Sequence, residues 1–136
     1  MKRCRLIGLG LVMVFISGCG VGLKENLRGA AGISTKVLED NLSSAAYKDF
    51  NLDYDAAFSL VKEIIKKIGS YIYAVDKSKN LIAIYASEDD TTPVGIFFKA
   101  LDNTKTRILI SSPSNITKAV IVGEIFPVLE NKGYEN

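Results

Sequence analysis

Between Ala57 and Ile68 the apolar side chains fall at Ala57, Leu60, Val61, Ile64, Ile65 and Ile68, and the polar ones at Ser59, Lys62, Glu63, Lys66 and Lys67. At 100° per residue the first set occupies one arc and the second covers the rest, the pattern of a helix with a single buried face. Asp53 and Asp55 stand before it with side-chain oxygens suited to capping the first amides. Lys66 and Lys67 lie in its last turn, where the helix dipole favours cations, and Gly69 supplies the stop. Its charged side reads as a solvated face.

Around this helix the period changes to two. Phe50 and Leu52 alternate with Asn51 at the end of Tyr47–Asp53, which predicts a first strand. Tyr71–Val75 and Leu81–Ser87 flank the turn-forming run Asp76-Lys77-Ser78-Lys79-Asn80, and Val94–Leu101 and Thr106–Ser111 flank Asp102-Asn103-Thr104-Lys105. Two successive hairpins make an antiparallel meander. Ser114–Lys132 reads as a second helix, with Ser114 or Asn115 as its cap. Ile121, Val122, Ile125, Phe126, Val128 and Leu129 share one side, and Gly123, Glu124, Pro127 and Asn131 lie opposite. The Pro127 ring collides with the carbonyl of residue 123, which predicts a kink or a break. Ala119–Val122, three of whose four residues are β-branched, would also suit a short strand.

Upstream, Gly20-Val21-Gly22 and Gly29-Ala30-Ala31-Gly32 read as a flexible tether. Ser34–Ala46 carries a weak stripe of Val37, Leu38 and Leu42, and a linker is slightly favoured there over a short helix. The expected fold is α+β: an antiparallel meander sheet with two helices packed on one face, in the order β-α-β-β-β-β-α, spanning residues 47–136 after a tether at 19–46.

A register in which Val75 pairs with Leu81 puts Tyr71, Tyr73 and Tyr85 on one face, and Ile72, Ala74, Ile82 and Ile84 on the other. A three-residue loop in the second hairpin gathers Val94, Ile96, Phe98, Ala100, Ile108 and Ile110, leaving Phe97, Lys99, Leu101, Arg107 and Ser111 opposite. The isoleucine-rich faces should meet the helices. The outward face then offers Tyr71, Tyr73, Tyr85, Phe97, Lys99 and Arg107 as a candidate interaction surface, since aromatic residues and arginine are enriched where proteins meet. A merely solvated face is the commoner use of such tyrosines.

The first residues follow a different logic. Met1-Lys2-Arg3-Cys4-Arg5 is basic, Leu6–Ile16 is apolar, and Ile16-Ser17-Gly18-Cys19 follows at once. These are the parts of a secretory signal, and the apolar run falls short of the roughly 20 residues that span a bilayer. The run ending at Cys19 resembles the lipobox of bacterial lipoproteins: an aliphatic residue, two small ones, then cysteine. The resemblance implies a signal peptide at 1–18, cleavage before Cys19, a diacylglyceryl group on the Cys19 sulfur and a fatty acyl group (palmitate, for instance) on the new amino terminus. A thiolate is the nucleophile such chemistry needs, and two or more chains hold a protein at a membrane where one does so only marginally. Gly20 stands where an aspartate would imply retention at the inner membrane, so the resemblance implies an outer-membrane lipoprotein facing the periplasm.

Composition then narrows the chemistry. The 136 residues include no histidine, which removes the usual neutral-pH acid/base group and the Ser–His and Cys–His nucleophile pairs. Removing residues 1–18 takes three basic residues and no acidic one, so the formal charge of +2 becomes −1 and no basic patch points to nucleic acid. Cys4 leaves with the leader, and an acylated Cys19 excludes an internal disulfide. Glu88-Asp89-Asp90 lacks the alternate spacing of a calcium loop, and no glycine-rich phosphate loop stands outside the leader. The expectation is no enzyme, no cofactor and no metal site.

Past the leader, the stretch Phe50–Gly69 followed by Asp76-Lys77-Ser78-Lys79-Asn80-Leu81-Ile82 resembles small envelope lipoproteins of unknown function and, in outline, the helix-grip domains of the outer-membrane assembly lipoprotein BamC. The likeness carries no catalytic or binding residue across, since fold does not fix function. The reading is a lipid-anchored protein that acts by contact with an envelope partner, as an accessory or assembly module. The alternative is a periplasmic binder of an apolar small molecule or lipid, held between helices and sheet with Gly123 and Pro127 opening the final helix.

Overall fold

A computed structural model describes residues 34–135; the expected signal peptide, Cys19 and the tether as far as residue 33 lie outside them. The elements are helix α1 (Lys36–Asp40), a short 3-10 turn (Leu42–Ser44), strand β1 (Ala46–Phe50), helix α2 (Tyr54–Lys67), strands β2 (Tyr71–Asp76), β3 (Leu81–Tyr85), β4 (Pro93–Ala100) and β5 (Thr106–Ser111), and helix α3 (Asn115–Gly133). The sheet is antiparallel throughout, in the order β1-β5-β4-β3-β2. The fold is α+β, with the main elements in the expected order. Helix α1 and the 3-10 turn nevertheless occupy residues 36–44, where the sequence slightly favours a linker.

The local signals act as their chemistry dictates. The Asp53 carboxylate accepts from the Ala56 amide at 2.7 Å and caps α2, and Gly69 ends it with φ at 76°, a left-handed conformation that costs glycine nothing. The β2–β3 turn is built by Asp76, whose carboxylate accepts from the Ser78 and Lys79 amides. In the β4–β5 hairpin the Leu101 amide donates to the Lys105 carbonyl, closing a loop of the three residues Asp102–Thr104.

One face of the sheet presents Phe50, Ile82, Ile84, Val94, Ile96, Phe98, Ile108 and Ile110 to Ala57, Val61, Ile64 and Ile65 of α2 and Ile121, Ile125, Phe126 and Leu129 of α3. The helix stripes and the isoleucine-rich strand faces therefore meet in a single core.

Three expectations need correction. Leu81 pairs with Asp76 rather than Val75, and a bulge between Ile72 and Ala74 shifts the register. Tyr73 is the extra residue, so Ala74 pairs with Ala83 and turns away from the main core instead of joining Ile72 there. The second correction is in α3, which runs through Pro127 without the break that was one of the two expected outcomes. Residue 123, whose carbonyl the ring crowds, is glycine, and both lie exposed, so solvent can serve the carbonyl that loses its amide partner. Third, Val128 does not join the buried side of that helix but is exposed.

Candidate interaction face

The opposite face of the sheet carries the residues the sequence nominated, and α1 lies across its middle. Leu38 is fully buried there against Leu81, Ala83 and Phe97, with Leu42, Tyr73, Ala74 and Leu109 packed around them. Gly95 makes the approach possible: a Cβ at that position would stand 3.0 Å from the Leu38 Cβ and 2.9 Å from Phe97 Cε2. The Ser111 hydroxyl donates to the Leu38 carbonyl at 2.8 Å, and Lys79 Nζ meets Glu39 Oε1 at 2.6 Å across the edge. That lysine holds the Glu39 carboxyl below its ordinary range.

Phe97, nominated as an outward contact, is only 7% exposed because Leu38 and its neighbours cover it. The remaining nominated residues divide into two groups. Towards β2, Tyr71 stacks on Tyr85 with centroids 6.3 Å apart, and Tyr73 stacks on the same Tyr85 at 4.4 Å. Tyr71 is 59% exposed. The Tyr73 hydroxyl is buried with no hydrogen-bond partner among the described residues, and burial, aided by Tyr85, pushes its pKa up to about 12.

Towards β1, Arg107 donates through Nε and Nη2 to the two carboxylate oxygens of Asp49 at 2.7 and 3.0 Å. Its guanidinium also lies 5.1 Å from the ring centroid of Tyr47, a residue 64% exposed. The two-pronged hydrogen bond lowers the Asp49 pKa and raises that of Arg107. Lys99, exposed, pairs with Arg107 across β4 and β5. Tyr47 and Asp49 were not nominated; placing β1 beside β5 requires the topology, which periodicity alone does not contain. Leu38 had appeared only as part of a weak stripe.

A further uncovered apolar strip lies on α3, where Ile116 (81% exposed) and Val120 align with Gly123 and Pro127 at helical spacing. At the other end of that helix a cleft of about 110 Å³ is lined by Lys48, Asp49, Phe50, Asn51, Leu129, Glu130, Gly133 and Tyr134, with Lys48 paired to Glu130 across it. Drug-sized ligands occupy roughly 300 Å³ or more. In the β3–β4 loop the Asp90 carboxylate is engaged by the Thr92 amide and hydroxyl, which lower its pKa, while Glu88 and Asp89 are exposed. Among the described residues no three His, Cys, Asp or Glu side chains stand together as a metal site, and no helix is long and apolar enough to cross a membrane.

No protein-family model matches the chain, and a search of curated proteins returned no match.

Proposed function

We propose that this protein is a lipid-anchored envelope component without catalytic activity, held at the membrane through Cys19 and acting by contact as an accessory or assembly module. The observation that carries the reading is the run Ile16-Ser17-Gly18-Cys19 at the end of a short apolar stretch behind basic residues. Gly20 favours the outer membrane. Exposed Tyr71, stacked on half-buried Tyr85, and the Tyr47–Arg107–Asp49 cluster support a role in contact, because rigid aromatic groups and arginine supply much of the binding energy of protein interfaces.

Intact-mass spectrometry of the protein from a membrane fraction tests the anchor. The expected polypeptide begins at Cys19 and carries fatty acyl mass, and Cys19→Ser releases it from the membrane fraction. A chain that begins elsewhere, or bears no lipid, overturns the anchored reading. Photo-cross-linking groups placed at Tyr47 and Tyr71 in intact cells test the contact role. A discrete adduct with an envelope component is expected; adducts no stronger than those from exposed Glu88 would refute it.

A further inference from the structure

The contacts that hold α1 to the sheet are few, and they are separable from the rest of the fold. Leu38 is its one buried side chain, and the cluster it joins with Leu81, Ala83 and Phe97 shares no residue with the main core. The Ser111–Leu38 hydrogen bond, the pairing of Lys79 with Glu39 and Thr35, the packing of Leu42 on the same cluster and one hydrogen bond from Lys118 Nζ of α3 to the Ser44 carbonyl complete the attachment. At five residues, with no side-chain hydrogen bond from its cap residue Thr35 to the helix amides, α1 is too short to persist as a helix away from the sheet. Its departure breaks no strand pairing, because the first paired residue of β1 is Ala46. A segment attached in this way can open at a free energy well below that of global unfolding.

We propose that Ser34–Ala45 is a releasable strap. It leaves the sheet as a unit while the sheet, α2 and α3 stay folded, and it uncovers the apolar patch of Leu81, Ala83, Gly95 and Phe97. Release frees twelve residues, which at about 3.4 Å each can then extend to at most about 40 Å, more than they span when docked. A pull arriving from the amino-terminal side meets α1 before any other described element. That loading rests on the anchored reading above; the opening itself does not.

Hydrogen-exchange mass spectrometry on the full chain in detergent, with and without Leu38→Ala, tests the strap. The reporters are amides bonded within the segment: those of Leu38 and Glu39 to the Thr35 carbonyl, and that of Ala45 to the Leu42 carbonyl. Peptides covering this segment should be protected, yet exchange at least about tenfold faster than those from β4 and β5. Leu38→Ala should speed them by a further factor on the order of 30 to 100 and leave β4 and β5 unchanged. Exchange in step with β4 and β5, or acceleration of all peptides alike, would make the segment part of the cooperative core and overturn the proposal. Unprotected exchange in the parent chain, or indifference to Leu38→Ala, would overturn it as well. None of these readings depends on the lipid, which intact mass measures separately, so failure of the anchor and failure of the strap are distinguishable.

Discussion

Gly95→Ala probes how closely α1 is fitted to the sheet. In an open strand position this change normally helps, by about 0.5–1 kcal/mol, because glycine loses more backbone freedom on folding. Here the added methyl would meet Leu38 Cβ at 3.0 Å, Leu38 Cδ1 at 3.1 Å and Phe97 Cε2 at 2.9 Å, all closer than ordinary contact. Overpacking of this kind costs about 1–3 kcal/mol, so the repulsion outweighs the entropic gain and a net loss of about 1 kcal/mol is expected. The loss is capped by the free energy with which α1 is docked, since beyond that point the helix lets go. In urea titration the midpoint should fall with the slope preserved, and the melting temperature should drop by about 4–8 °C for a domain of this size. The decisive measurement is the cycle with Leu38→Gly, which removes both contacting Leu38 atoms. In that background Gly95→Ala should lose the share of its cost that comes from Leu38 and keep the share from Phe97. A stabilised Gly95→Ala, or an equal cost in both backgrounds, would refute the fit between Leu38 and Gly95.

Other perturbations follow from the same geometry. Tyr73→Phe removes a buried hydroxyl that has no partner among the described residues and should be neutral or stabilising in urea titration; a clear loss would reveal a partner for that hydroxyl. In an alkaline ultraviolet titration of the folded protein, Tyr73→Phe should remove the phenol that ionises last, near pH 12. Pro127→Ala restores an amide that can donate to Gly123 and should raise stability by about 1–3 kcal/mol, read as a higher urea midpoint; no change would mean that the exposed helix back already absorbs the ring. The carboxyls of Asp49, Asp76, Asp90 and Asp102 are all held below their ordinary pKa by hydrogen bonds. Their contribution is therefore present above the unfolded-state value near 4 and lost as pH falls through the lower folded-state values. Asp49→Asn should flatten the acid limb of a stability–pH curve slightly, and an unchanged limb would show that the Arg107 pair adds nothing.

The elements that sequence revealed are those whose signal is local. The α2 stripe, the Asp53 cap, the Gly69 stop and the Asp76 turn each depend on residues within a few positions of one another, and periodicity exposes them. Face assignments survived wherever the strands alternate without interruption, as from Val94 to Ala100. They failed at Ala74 because one inserted residue at Tyr73 reverses every side chain beyond it, and nothing in Tyr71-Ile72-Tyr73-Ala74 marks the insertion. The aromatic surface was visible as composition but not as a site. Whether Phe97 is open depends on a leucine 59 positions earlier, and a five-residue helix with one apolar anchor is too brief to stand out from a linker. Tyr47 and Asp49 reach Arg107 only because β1 joins the far end of the meander.

That placement of β1 has a kinetic consequence. Ala46 finds its partner in Ile110, so β1, the first strand among the described residues, cannot be zipped up until most of the chain is available. The β2–β5 meander can collapse from neighbouring hairpins, but β1 must wait as an orphan edge. A truncation that stops short of Thr106 should therefore leave β1 without a partner strand, however well the β2–β4 hairpins form.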